Sequence, residues 1–265
     1  MKASLLLTTY NKTDLLYNTL HSISLQKMSF PLDICILDDA SAAKDDPTKV
    51  IKQFLPKAKF RKSIFNFGTH HSTTAAFRMA DLDSDIFILM STDIILSDIN
   101  IIQELCSNLS PGFINSAHVK DIPVDPNIWQ NKKTWDKNVG IHLEKWDSYS
   151  RVFSGSSRSS GNWLFCVAML KEDFLKADLD VVFCDQLNRY LGKKGVQVKH
   201  LDHLRVFHQN HPPGVGKDSR SRIERGYPCR IRDTCSLGTA GSNTCKRGLL
   251  TGGNLAEELN KIRKK

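Results

Sequence analysis

Four groups of residues in this chain carry side chains suited to phosphate, sugar or metal chemistry, and each flanks an apolar run or a helical stretch. Thr8-Thr9-Tyr10 follows Ala3 to Leu7, and Asp38-Asp39 follows Ile34 to Leu37. A carboxylate in such a turn accepts hydrogen bonds from a uracil imide or a ribose hydroxyl, and a tyrosine stacks on a base. Ser91-Thr92-Asp93 follows Ile86 to Met90. A Mg2+ or Mn2+ ion held by one or two carboxylates neutralises a diphosphate so that it can leave, and Asp93 stands where such a ligand is expected. Asp185 opens the amphipathic stretch to Leu191, where a helix dipole favours the ionised carboxylate. There it could take the proton of an attacking sugar hydroxyl. His208 and His211, three residues apart, could turn neutral imidazoles to one metal ion. Each group also fits a plainer role on its own. An Asp after a strand is a turn residue or caps the next helix, Asp185 matches helix-end electrostatics, and a single histidine after a strand is a surface residue.

What must position these groups is an alternation of short apolar runs with helical spacing. Residues 3–7, 33–37, 60–62 and 86–90 read as strands. Leu15, Leu16, Thr19, Leu20 and Ile23 recur at helical period, with Thr13 or Asn11 as cap. Helices are also expected from Pro47 to about Leu55 and from Ser72 to Ala80. The alternation predicts an α/β domain with a Rossmann-like, mostly parallel sheet flanked by helices, binding ligands beyond the carboxyl ends of its strands. Residues 111–158 lack periodicity and read as exposed loops with some edge strand that could shape an acceptor site. Strands are expected again at 162–170 and 196–203, with a helix at 185–191. The domain is expected to span 1–211, and 212–265 to form a basic, Gly/Ser-rich mobile loop and tail.

Bulk properties narrow the partners. The chain has 265 residues, 40% of them apolar, and 37 basic against 28 acidic residues give a net charge of +9. That excess suits a phosphorylated small molecule or an anionic surface. Zinc-finger spacing, an aromatic nucleic-acid signature and a long basic run are all missing from the sequence, so no nucleic-acid partner is expected. Seven cysteines are an odd number, and four of them lie in apolar stretches, which fits reduced thiols in a cytoplasmic protein. Cys229, Cys235 and Cys245 are spaced by six and ten residues, which matches no common zinc pattern. The apolar part of the N-terminus is too short for a signal peptide, and no run approaches the roughly 20 residues needed to cross a bilayer. Membrane contact is expected to be peripheral at most.

Taken in order, the segments from about residue 3 to 211 resemble the family 2 glycosyltransferases, which have a nucleotide-sugar-binding fold of the GT-A type. Ser4 to Lys12 is similar to the family's opening strand and Pro-Thr-Tyr-Asn turn, with Thr8 in place of the proline. Leu37-Asp38-Asp39-Ala40-Ser41 is similar to Val-Asp-Asp-Gly-Ser. Phe65-Asn66-Phe67-Gly68 matches Asn-x-Gly, and Arg78 lies in the helix where the family carries Ala-Arg-Asn. Ser91-Thr92-Asp93 takes the place of the Asp-x-Asp metal motif, and Gly161-Asn162-Trp163 that of an acceptor-side segment. Asp185 falls at the family's catalytic base and His208 at its late metal-binding histidine.

The resemblance implies an inverting transfer from a nucleotide-sugar donor, a UDP-sugar favoured, to a glycan or other hydroxyl acceptor. Asp185 would be the base. Thr8, Thr9, Tyr10, Asp38, Asp39, Asn66, Gly68, Arg78, Ser91 and Trp163 would line the donor site. Asp93, His208 and His211 would hold Mn2+ or Mg2+, and Ser91 leaves that ion to Asp93, a histidine and the phosphates. Two other readings stay open. A nucleotidyltransferase also sets a nucleotide over strand ends, but the turn after the first strand contains no glycine for close approach to a pyrophosphate. A catalytically inactive nucleotide- or carbohydrate-binding protein of the same fold is the other.

Overall fold

The computed structural model describes residues 1–63, 69–123, 132–149, 166–176 and 195–210. Its first half follows the expected alternation. Strand β1 (Ala3–Thr9) leads to α1 (Thr13–Ser24), then β2 (Leu32–Asp38), α2 (Thr48–Phe54), β3 (Lys59–Lys62), α3 (Thr69–Met79) and β4 (Ile86–Ser91). β1, β2 and β4 read as continuous apolar runs because both their faces are covered. Leu5, Leu7, Ile36 and Ile88 pack with Leu16, Leu20 and Ile23 of α1 on one side. On the other side, Leu6, Cys35, Leu37 and Leu89 meet Ala76, Phe77 and Ala80. Phe77, Phe87 and Phe174 close that second face, with ring centroids 4.6 to 5.3 Å apart.

The second half adds β5 (Ile94–Leu96), α4 (Ile101–Cys106), β6 (Phe113–Pro123), α5 (Trp135–Glu144), β7 (Cys166–Leu170), one helical turn at Lys171–Phe174, and β8 (Gln197–Asn210). The eight strands among the described residues share one sheet, in the order β3-β2-β1-β4-β7-β6-β8-β5. Neighbours run parallel from β3 to β4 and between β6 and β8. They run antiparallel where β7 joins β4 and β6, and where β5 meets β8. The sheet is therefore mixed, with its longest parallel run from β3 to β4. The chain places β2 on one side of β1 and β4 on the other, so a crevice opens beyond the ends of β1 and β4, where α/β sheets take ligands.

Within residues 111–158, the described segments 111–123 and 132–149 depart from expectation. β6 is an eleven-residue strand inside the sheet, and Trp135 and Trp146 are buried with Ile95, Ile122, Val139 and Phe207 instead of exposed. Polar residues hid the strand from period-two reading because their partners lie elsewhere in the chain. Asn115 Nδ2 donates to the carbonyls of Leu105 and Ser107 at 3.0 and 3.1 Å. Lys120 Nζ donates to the Trp146 carbonyl at 2.7 Å. β8 is also longer than expected and includes His208. The cap of α1 is Lys12, without a side-chain cap bond. Asn11 serves a different turn, its Oδ1 accepting from Ala42 N–H at 2.8 Å. No helix among the described residues is long and apolar enough to cross a membrane.

Candidate functional site

The turns after β1 and β2 form one shelf. Thr9 pairs with Asp38 in the parallel register, and the Asp39 N–H extends that ladder to the Thr9 carbonyl at 2.8 Å. Asp38 is fully buried and builds the turn. Its Oδ1 accepts from Ser41 N–H at 3.0 Å and from Ser41 Oγ at 2.5 Å, and its Oδ2 faces Lys62 Nζ at 3.5 Å. Ser41 Oγ in turn accepts the Asn11 N–H at 2.9 Å, which ties the two turns together. Asn11 and Ala40 both take left-handed backbone, φ 49° and 65°. Thr9 and Asp39 are buried while Thr8 and Tyr10 are half-buried, so this is a constructed shelf rather than a solvated turn.

Across the crevice lies Ser91-Thr92-Asp93. Thr8 and Ser91 are register partners, which puts both at the same rim. The turn is fixed from behind. Thr19 Oγ1 of α1 donates to the Thr92 carbonyl at 2.9 Å, and Gln209 N–H donates to the Asp93 carbonyl at 2.8 Å. Gln209 is itself anchored in the core, accepting from Asn18 Nδ2 at 2.6 Å and donating to the Leu15 carbonyl at 3.0 Å.

Sheet register brings the remaining polar groups to Asp93. His208 in β8 faces Ile94 on one side and Asp121 on the other. Its Nε2 stands 3.6 Å from Asp93 Oδ1 and its Nδ1 2.5 Å from Asp121 Oδ1. Burial opposes the charged ring, yet hydrogen bonds and charge from Asp93 and then Asp121 outweigh it and raise the His208 pKa above its usual value. Ser91 Oγ donates to Asp93 Oδ1 at 2.5 Å. Lys12 reaches across from the turn after β1, its Nζ 2.9 Å from Asp93 Oδ2.

A divalent ion at this place needs oxygen or neutral imidazole ligands turned toward it. Among the described residues, no three His, Cys, Asp or Glu side chains form a group that could hold a metal. Both carboxylate oxygens of Asp93 are engaged within the protein, and both nitrogens of His208 face carboxylates. The group as it stands does not fit a divalent ion.

The structure thus brings Asp93 and His208 together and sets Thr8, Thr9, Tyr10, Asp38, Asp39 and Ser91 along the neighbouring rim. Asn66, Gly68, Trp163, Asp185 and His211 lie outside the described residues. Arg78 lies in the last turn of α3, close before Asp81, whose N–H donates to Asp33 Oδ2 at 2.9 Å near the amino end of β2. A helix returning from β3 to β4 carries its last turn away from the carboxyl rim, so Arg78 is placed toward the opposite edge of the sheet.

Comparison with known proteins decides the family. The sequence profile of Glycosyl transferase family 2 matches residues 4–174, well over half of the 265 residues. The chain belongs to that family. Three solved structures show the fold of this family 2 chain as GT-A. One is the mannosyltransferase PcManGT from Pyrobaculum calidifontis in complex with GDP-Man and Mn2+, with 16% identity and a TM-score of 0.52, covering 84% of this chain and 60% of that one. Another is S. aureus TarS 1-349 in complex with UDP-GlcNAc, with 13% identity and a TM-score of 0.52, covering 80% and 59%. A mycobacterial protein follows at 14% identity and TM-score 0.50, covering 81% and 69%. The family 2 chain therefore spans about six-tenths of the length of the first two. None of the curated proteins compared with it matches.

The family match ends before β8, yet β8 supplies His208 and Gln209 to the rim. Sequence reasoning missed Gln209, Asn18 and Thr19 as supports, and Lys12 and Asp121 as partners of the site. For Lys12 the available signal was its place directly after the Thr-Thr-Tyr-Asn turn. For Asp121 there was none, because only the register of β6 against β8 sets it opposite His208.

Proposed function

We propose that this family 2 protein transfers a sugar from a nucleotide-diphosphate donor, a UDP-sugar favoured, to a hydroxyl acceptor such as a glycan, with inversion at the anomeric carbon. The observation that carries the reading is the convergence of Asp93 and His208, 3.6 Å apart, at the crevice flanked by Thr8 and Asp39. In this reading Asp39, Thr8 and Tyr10 hold the nucleoside on the shelf, and the diphosphate extends toward Asp93. The acceptor oxygen attacks the anomeric carbon as its proton passes to Asp185. The bond from that carbon to the phosphate oxygen breaks, and the nucleoside diphosphate leaves with the electron pair. A cation beside Asp93 would offset the charge that develops there; the PcManGT complex contains Mn2+. The glycosyltransferase domain is assigned to residues 1–211, with 212–265 as its appendage.

Calorimetry with UDP and GDP tests donor binding, and a screen of nucleotide sugars tests transfer. Binding of UDP, abolished by Asp39→Ala, together with Asp185→Asn protein that binds UDP but transfers nothing, is the expected result. An affinity for no nucleoside diphosphate would sink the reading, and transfer surviving in Asp185→Asn would move the base elsewhere. An α-donor yielding an α-product, followed by NMR, would exclude inversion.

A further inference from the structure

We propose that the ammonium of Lys12 is the cation that faces the donor diphosphate in this protein, taking the position a divalent ion would need beside Asp93. The inference rests on the donor reading above and concerns what neutralises that donor. Three observations carry it. First, Lys12 follows the turn after β1 and crosses the crevice between β1 and β4, so its Nζ, 2.9 Å from Asp93 Oδ2, lies between the nucleoside shelf and the Asp93 turn. Second, the pair is asymmetric. The Asp93 side chain is 3% exposed and the Lys12 side chain 27%, so the carboxylate is sealed while the cation looks outward. Third, Ser91 rather than a carboxylate stands two residues before Asp93 and spends its hydroxyl on Asp93 Oδ1 at 2.5 Å, while the group's other carboxylate, Asp121, is engaged by His208 Nδ1 at 2.5 Å.

Charge arithmetic points the same way. Asp93 and Lys12 already cancel and Asp121 is taken up by His208 Nδ1 at 2.5 Å, so a divalent ion entering beside Asp93 would meet the like charge of Lys12. Lysine is a point-charge phosphate binder with three N–H donors, so contact with Asp93 is compatible with donation to phosphate oxygens. Asp93 then acts as a positioning residue that aims Lys12, rather than as a metal ligand.

The test uses the full chain stripped of metal, with UDP and GDP as probes, by calorimetry in EDTA and in Mn2+. The wild type is expected to bind its preferred diphosphate with affinities that agree within about twofold in the two conditions. Lys12→Ala is expected to lose roughly tenfold or more in EDTA, the loss of one charge-assisted contact, and to recover in Mn2+, because Asp93 is then uncovered. Electron paramagnetic resonance of Mn2+ alone gives a second readout that needs no nucleotide. The wild type should leave the free-ion signal intact, and Lys12→Ala should diminish it. Binding by the wild type only in Mn2+, or uptake of Mn2+ by the wild type alone, overturns the proposal and leaves the donor reading standing. Absence of binding in both conditions overturns both. Should Lys12→Ala fail to fold, the wild-type comparison still decides.

Discussion

Asn18 Nδ2 donates to Gln209 Oε1 at 2.6 Å, joining residues 191 positions apart inside the core. Through this bond α1 holds the strand that carries His208. Both residues are buried, so removing one leaves the other's polar atoms stranded away from water. Asn18→Ala is expected to lower unfolding free energy by about 2 kcal/mol. Urea denaturation at constant slope checks it, and a change under a few tenths of that would show the bond to be idle.

Ala40 holds φ 65°, a conformation that costs an L-residue roughly 1–2 kcal/mol. Its position corresponds to the glycine of the pattern that the Leu37 to Ser41 segment resembles. Glycine removes the strain but gains freedom in the unfolded chain worth about 0.5–1 kcal/mol. Ala40→Gly should therefore stabilise the protein by up to about 1 kcal/mol, read as a higher melting temperature. A lower one would mean that the methyl group packs better than its backbone suffers.

Alkaline pH should weaken the fold through its thiols. Cys35, Cys106 and Cys166 are buried, and burial pushes each thiol from 9.0 up to about 12. Because the folded values are raised, the neutral thiols give their full contribution below pH 9.0, where the unfolded chain also keeps its protons. The contribution is lost as pH climbs from 9.0 towards 12. In that window Cys166→Ala should fall less steeply than wild type, by about 1.4 kcal/mol per pH unit. Denaturant titrations at stepped pH measure the two slopes, and parallel slopes would contradict the buried-thiol account. A thiol reagent at neutral pH should also label these three only as fast as the protein opens.

Legibility in the sequence followed burial on two faces. β1, β2 and β4 announce themselves because both their faces are covered, so apolar runs end abruptly at polar turns. β6 and β8 do not. Asn115, Lys120 and Gln209 occupy buried places whose partners, Leu105, Trp146 and Asn18, are known only once the sheet is assembled. The rim divides in the same way. Asp93 stood out because it follows the most apolar strand, and His208 because it lies near the end of one. Asp121 carries no spacing signal, since it reaches the group through register rather than through local pattern, and Lys12 is marked only by its place after the Thr-Thr-Tyr-Asn turn.

Among the described residues, β8 is the last strand of the sheet in chain order, and it joins β5 to β6. During synthesis, the units β1 to β4 leave the ribosome well before it and can begin to pair. The histidine side of the crevice has to wait for residues near 210. A nascent or prematurely stopped chain would thus own the shelf of Thr9 and Asp39 while β5 and β6 still offered open edges to any passing strand. The timing of one late strand makes completion of the Asp93–His208 rim and protection from aggregation the same event.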